Sequence, residues 1–447
     1  MKMFHIKRVL IPFIIFSNCM IFANTYYVKN DGDDSTSGTS WQTAFKTISH
    51  SLEVPESGDD IWVKEGTYKD GKTIIVSEGI SLYGGFSGTE TDLSQRSFSE
   101  HQTIVDGEDS YQCVYNNGHL DGFDIINGFG FHGAGIENWG TMKNCFIHDN
   151  QAWDTGGGVY NNDLMTSCAI YNNSALGGGG IYNWELGVVD NCLVSGNHAE
   201  KGGGIFNKRG IIRNSIIHSN ILWDTGGGSN VGGGICNTGG EVGNCLIYNN
   251  TGKDCGGIYN DFLECYGNSP NVTNCTVFGN SSDICGGILN RCIISNCISW
   301  NNENLDYSQE EGFPHQQLIF YSCFREASKY LDCITSNPLF LNTEGDISTW
   351  DFRLQQDSPC IDAGDPDETY DDGCLPPGMK TLRNDMGAYG GPNNCAWGYY
   401  VGRNDIIDFL MGMKNLSPNH FPYADRNKDT MIDISDLIDM IFRNPAP

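Results

Sequence analysis

The chain is 447 residues long, holds 57 Gly against 14 Pro, and carries a formal charge of −29. That length accommodates one large domain and a small one, and the 39% apolar share sets it apart from disordered low-complexity chains. An acidic excess of this size excludes nucleic acid and anionic membrane surfaces as partners. It also makes an acidic polysaccharide an awkward ligand unless a cation bridges the two.

At the N-terminus, Lys2, Lys7 and Arg8 precede an apolar run that ends at Ala23. This is the pattern of a secretory signal peptide over residues 1–23, cut after Ala23. No later apolar run is long enough to span a bilayer, so a secreted, extracellular or cell-surface location is expected. In the next stretch, "NDGDDSTSG" (Asn30 to Gly38) reads as a turn, with a second Ca²⁺ loop as the alternative, and the apolar spacing of "WQTAFKTISHSL" (Trp41 to Leu52) predicts a short amphipathic helix covering the first coil of the repetitive region downstream.

A repeat dominates residues 24–345. Val159, Ile181, Ile205, Ile235, Ile258 and Ile288 each follow a run of two to four glycines and Ile136 follows Gly-Ala-Gly, and the seven fall at intervals of 23, 22, 24, 30, 23 and 30 residues. Each is followed two residues later by Asn: Asn138, Asn161, Asn183, Asn207, Asn237, Asn260 and Asn290. A second column holds Cys145, Cys168, Cys192, Ser215, Cys245, Cys275 and Cys297, each with an Asn five residues on, from Asn150 to Asn302. A period near 23 with several locked columns is a solenoid. The short β-rich segments between sharp turns ("NCFIHDN", "NCLVSGN") predict a parallel β-helix whose coils rise by about 4.8 Å. The glycines supply the corners.

The cysteine column reads as small buried side chains, because stacked parallel residues do not face each other well enough for disulfides. Cys374 and Cys395 are the disulfide candidates. Two outward columns carry aromatics: Tyr160, Tyr182, Phe206 and Tyr259 in one, Tyr171, Tyr248, Phe278 and Trp300 in the other. They are candidates for stacking sugar rings, against the alternative of ordinary pairing between coils.

Residues 346–398 read as the C-terminal cap of the β-helix, since a bare end coil would expose unpaired strand edges. After Gly398 the texture changes, and residues 399–447 form a separate module. Asp425, Asn427, Asp429, Asp433 and Asp436 fall at positions 1, 3, 5, 9 and 12 of a loop that enters an apolar helical pattern, with the Met431 carbonyl at position 7. Oxygen ligands so spaced wrap Ca²⁺.

These residues carry two resemblances. "GTSWQTAFKTISHSLE", "ISLYGGFSGTETDLSQR", "GGGIYN", "NCLVSGNHA", "SPCIDAGDPD" and "RNDMGAYGGPNNCAWG" resemble the right-handed parallel β-helix proteins with polymorphic outer-membrane-protein-type repeats, from Thr25 to Gly398. "ADRNKDTMIDISDLIDMIF" resembles a type I dockerin repeat, and "RNDIIDFLM" (Arg403 to Met411) matches its helix without the loop ligands. That resemblance implies two helices, one Ca²⁺ and a cohesin-like protein partner.

The fold class expected is an all-β solenoid, a right-handed parallel β-helix with capped ends, followed by a small α-helical EF-hand or dockerin-like domain. The coil cations are scattered, and adjacent acidic pairs fall in caps or loops. The function expected is therefore non-catalytic surface binding or adhesion, with polysaccharide as a candidate ligand. The alternative is a polysaccharide lyase or glycoside hydrolase, which a carboxylate and basic cluster converging on one coil face would favour.

Overall fold

The computed structural model describes residues 23–223, 231–261, 271–309, 319–330, 332–374 and 378–397. The signal segment up to residue 22 and all six residues of the calcium loop, Asp425, Asn427, Asp429, Met431, Asp433 and Asp436, lie outside them.

Three parallel sheets of twelve, ten and ten strands run from Thr25 to Phe320, and each of ten successive coils contributes one strand to each, the twelve-stranded sheet gaining a further strand at either end. This is the expected β-helix. Its interior is three apolar columns. One sheet sends in Ile61, Leu82, Leu120, Met142, Met165, Val189 and Ile212, which stand opposite one another in register. Another sends in Val114, Ile136, Val159, Ile181 and Ile205, and the third Ile125, Ile147, Ile170, Val194 and Ile217. Burying a full side chain of this type contributes about 1.5–3 kcal/mol, once per strand.

The asparagines are the polar frame of this apolar stack. Asn138 Nδ2 donates to Asn161 Oδ1 at 2.8 Å, Asn161 to Asn183 at 2.9 Å, and Asn183 to Asn207 at 2.8 Å, so each amide is donor to one coil and acceptor from the other. The second ladder, from Asn150 to Asn302, works the same way and also takes backbone N–H groups, as where Asn173 Oδ1 accepts from Asn150 N at 3.0 Å. A buried amide without partners would cost about 1–3 kcal/mol, and the ladder ends are satisfied by backbone, as where Asn290 Oδ1 accepts from Cys292 N at 3.0 Å. The glycine triplets have two separate causes. Gly202 adopts φ +60°, and a Cβ on Gly204 would lie 2.8 Å from the Gly234 carbonyl of the next coil.

The cysteine column is buried as expected, and among the described residues none of its members is disulfide-bonded. Each thiol points back at the carbonyl two residues earlier, as Cys145 Sγ does to Lys143 O at 3.2 Å. Ser215 makes the same bond to Arg213 O at 2.7 Å, which explains how serine substitutes in a column of apolar filler.

The solenoid starts earlier than the glycine motif. Val114–Asn116 and Ile74–Val76 pair ahead of Ile136–Asn138 without a triplet. At the N-terminal end, the expected helix over residues 41–52 divides into a 3₁₀ turn, Trp41–Thr43, and one helical turn, Ile48–Ser51. Phe45 between them is extended and bridges to Val28, and Thr47 caps the second turn. At the other end Tyr307, Phe324 and Tyr330 pack ring on ring over the last coil. Residues 340–397 lie along the flank instead, with Trp350 and Phe352 against Phe278 at 5.2 and 5.4 Å and Asn244 Nδ2 donating to the Gly390 carbonyl. Cys374 and Cys395 form a disulfide within this segment.

Candidate functional site

The strands Asp60–Lys64, Ser81–Phe86, His119–Asp121 and Thr141–Lys143 lie side by side in the twelve-stranded sheet. Because strand side chains alternate, Ile61, Leu82, Leu120 and Met142 point inward and their neighbours point outward in two columns. One column is Asp60, Ser81, His119 and Thr141; the other is Trp62, Tyr83, Asp121 and Lys143. Arg96 reaches the second column from the loop after Leu93–Gln95.

Asp121 is the centre of this face. Its side chain is 1% exposed, and Oδ2 is paired with the Arg96 guanidinium, itself 11% exposed. Asn144 Nδ2 donates to Oδ1 at 2.7 Å, and Lys143 Nζ stands 3.4 Å from Oδ2. Burial alone would raise the Asp121 carboxyl, but its interaction with His119 and the charges of Arg96 and Lys143 outweigh that and hold it below the usual carboxylate range. Arg96 also donates to the Gly84 carbonyl at 3.1 Å and lies 5.1 Å from the centre of the Tyr83 ring.

His119 sits beside this pair. Its Nδ1 is 2.7 Å from Thr141 Oγ1, and its Nε2 is 3.8 Å from Asp121 Oδ2, within electrostatic reach but beyond hydrogen-bond length. The Tyr83 ring meets the imidazole edge-on at 5.5 Å. Burial raises the Tyr83 phenol above its ordinary value, so it stays protonated. Burial likewise raises Asp60, against a hydrogen bond from Ser81 and the charge of His119. Lys143 keeps 42% of its side chain exposed and is the cation of the group that meets solvent.

His119, Ser81 and Thr141 open into a cleft of about 660 Å³ at the corner beside the sheet, whose rim includes Glu78, Asn117, Trp139 and Asp163. Among the described residues, no group of three His, Cys, Asp or Glu side chains is placed to hold a metal ion. The arrangement is an imidazole, a neutral phenol and a half-exposed cation around one buried carboxylate.

The expected aromatic residues lie elsewhere. Tyr160, Tyr182 and Phe206 stack on one another at 5.4 and 5.1 Å, so their ring faces are taken up by the neighbouring coil. Tyr259 is buried and its hydroxyl donates to Asp261 Oδ2 at 3.2 Å. Tyr171 stacks on His148 at 4.4 Å. Tyr248 and Phe278 are covered by Phe352, and Trp300 packs against the same flank cluster. The rise that stacks identical residues at about 4.8 Å is the reason: rings in one column find each other before they find a ligand.

Of this face, Lys143 stands out in the sequence as one of the scattered coil cations. Aligning "ISLYGG", "HLDGF" and "TMKNC" on Leu82, Leu120 and Met142 places Tyr83, Asp121 and Lys143 in one column, and that alignment is the signal that could have found them. Arg96 has no such signal, since it arrives from a loop.

No family model matches the chain, and no curated protein matches it significantly. Among solved structures it is similar to pectate lyase Pel9A, at 15% identity over 82% of this chain and 96% of that one, with a TM-score of 0.49. It is similar to a rhamnogalacturonan lyase at 18% identity over 73% and 90%, TM-score 0.38, and to an alginate lyase from Paenibacillus at 15% over 61% and 95%, TM-score 0.37. Likenesses of this degree say nothing about chemistry.

Proposed function

We propose that the chain is a polysaccharide-cleaving enzyme, a lyase that acts on uronate-containing glycan at the cleft beside His119. The observation that carries this reading is the convergence of His119, Tyr83, Asp121, Arg96 and Lys143 on one outward coil face. A non-catalytic binding face has less support, because the aromatic columns expected to serve it are packed against each other or under the flank segment.

Breaking a uronate glycan by elimination needs a base for the proton on the carbon beside the carboxylate, a cation to stabilise the charge that develops, and an acid for the leaving oxygen. His119 takes the carbon-bound proton through Nε2, with Thr141 holding the other nitrogen. Lys143 meets the substrate carboxylate. The bond from the neighbouring carbon to the glycosidic oxygen breaks as the double bond forms, and the Tyr83 hydroxyl protonates the departing oxygen. Arg96 and Asp121 touch no substrate; they fix the ring and the ammonium.

Charge narrows the substrate. The chain carries −29 overall, and Glu78 and Asp163 stand exposed at the cleft rim, so an unbroken run of uronates is repelled. The best substrate alternates uronate with neutral sugar. An exported location suits a polymeric substrate, and the acidic loop Asp425–Asp436 supplies a calcium-dependent attachment module in the same reading.

The test is release of unsaturated sugar ends, read by ultraviolet absorbance, from pectate, alginate and an alternating rhamnose–galacturonate polymer. The parent chain is expected to release product, most from the alternating polymer, and His119→Ala to lose about 10²–10⁴-fold in rate. Depletion of protein onto polymer without product would return the chain to a binding solenoid, and a His119→Ala variant as active as the parent would remove the base.

A further inference from the structure

Resting on the cleft reading above, we infer that Trp139 is the sugar-stacking platform of that cleft, binding the apolar face of the pyranose next to the bond that is cleaved. The indole stands at the corner just after Asn138, whose amide belongs to the buried ladder. The corner is pinned from both sides: Trp139 N donates to the Asn116 carbonyl at 2.8 Å, and a Cβ on Gly140 would lie 2.2 Å from the Gly118 carbonyl. The side chain has one way out, away from the coil.

Its orientation is then set by two contacts. The indole Nε1–H donates to Glu137 Oε1 at 2.9 Å, while Glu137 Oε2 accepts from Gln112 Nε2 at 3.3 Å. One indole face lies along Tyr160, with centroids 6.2 Å apart and planes 30° apart, and Tyr160 is backed in turn by Tyr182 at 5.4 Å. The register puts Asn117 of the preceding coil where Trp139 sits in its own, since Asn116 and Asn138 are partners. A small amide thus stands at that register position, and Asn117 and Trp139 both line the cleft. Trp139 is 40% exposed although its ring nitrogen is satisfied and one face is covered.

An open aromatic face held rigid beside Asn117, Asp163 and His119 matches a pyranose: C–H groups meet the indole while ring hydroxyls meet the amide, carboxylate and imidazole. A peptide or lipid partner would gain from the apolar face but would leave those polar groups unpaired. Glu137 and Tyr160 are positioning residues for the platform, acting through the indole.

The test uses the full chain carrying His119→Ala to stop turnover, titrated calorimetrically with an alternating rhamnose–galacturonate tetrasaccharide and with tetragalacturonate. Trp139→Ala is expected to weaken binding about tenfold, and Trp139→Phe by less than about threefold. In the active chain Trp139→Ala raises KM for polymer with little change in kcat. Glu137→Gln, which keeps an acceptor for the indole, retains affinity that Glu137→Ala loses. Binding unchanged in Trp139→Ala, while the parent still cleaves polymer, overturns the platform and leaves the cleft standing. Neither cleavage by the parent nor binding of either tetrasaccharide overturns both.

Discussion

Asp121→Asn removes one charge and almost no volume, which makes it the cleanest probe of the charged face around His119. Asp121 and Arg96 are both out of solvent, and removing one partner of a buried pair costs about 3–5 kcal/mol, because the other charge is left uncompensated. The asparagine carbonyl still accepts from a guanidinium, so the lower end, about 3 kcal/mol, is expected near neutral pH. The pH dependence has a definite sign. In the folded chain the Asp121 carboxyl titrates below its ordinary value of 3.8, so its contribution is fully present above that value and is lost as pH falls through the lower, folded one. Urea unfolding of parent and variant, followed by circular dichroism, should therefore show a gap of about 3 kcal/mol at neutral pH that closes in acid. A gap under about 1 kcal/mol at neutral pH, or one that persists unchanged at low pH, would refute the pairing and with it the fixing of His119 and Lys143. Activity on the glycan is expected to fall with the same substitution even where the variant remains folded.

Two further outcomes concern the C-terminal parts. On the flank segment, Asp372 and Asp385 are nearly buried together; burial and the neighbouring carboxylate push Asp372 up to about 8, and burial pushes Asp385 up to about 7. Raised carboxyls reverse the sign found for Asp121: the stability they allow is complete below the ordinary value of 3.8 and declines as pH rises through about 7 to 8. Limited proteolysis should cut residues 340–397 faster at pH 9 than at pH 5, and Asp372→Asn should flatten the difference; equal rates at both pH values in the parent would contradict it. For the acidic loop, calorimetric titration of the full chain with Ca²⁺ should give a binding heat that the double substitution Asp425→Ala, Asp436→Ala removes, and no heat in the parent would retire the calcium assignment.

The solenoid was legible because each of its structural requirements recurs. An inward Ile or Val, a ladder Asn, a small side chain aimed at the carbonyl two residues back and a glycine too close to the next coil for a Cβ recur from coil to coil after residue 136, and Asn183 repeats what Asn161 does. A requirement that recurs at a fixed period leaves a column, and columns can be read without knowing any contact. The flank segment leaves none. Trp350 and Phe352 meet Tyr248 and Phe278 only because a non-repetitive stretch doubles back, so rings that read as open from the alternation of strand faces are covered.

The candidate site has the opposite signature from the fold, and for a physical reason. A coil can tolerate any outward residue that does not disturb the pairing, so outward positions are where one coil is free to differ from the next. Catalysis needs different groups at one place: an imidazole, a phenol, a carboxylate and an ammonium. It therefore breaks the column that the fold maintains. Tyr83, Asp121 and Lys143 occupy one outward register in three successive coils and share no chemistry, whereas Leu82, Leu120 and Met142 beside them are interchangeable filler. Trp139 obeys the same logic, flanked in register by Asn117 and Asn162. In a chain built by repetition, the positions to examine for chemistry are those where the inward register holds and the outward one changes at every step, and here such positions lie on the coil face that carries His119.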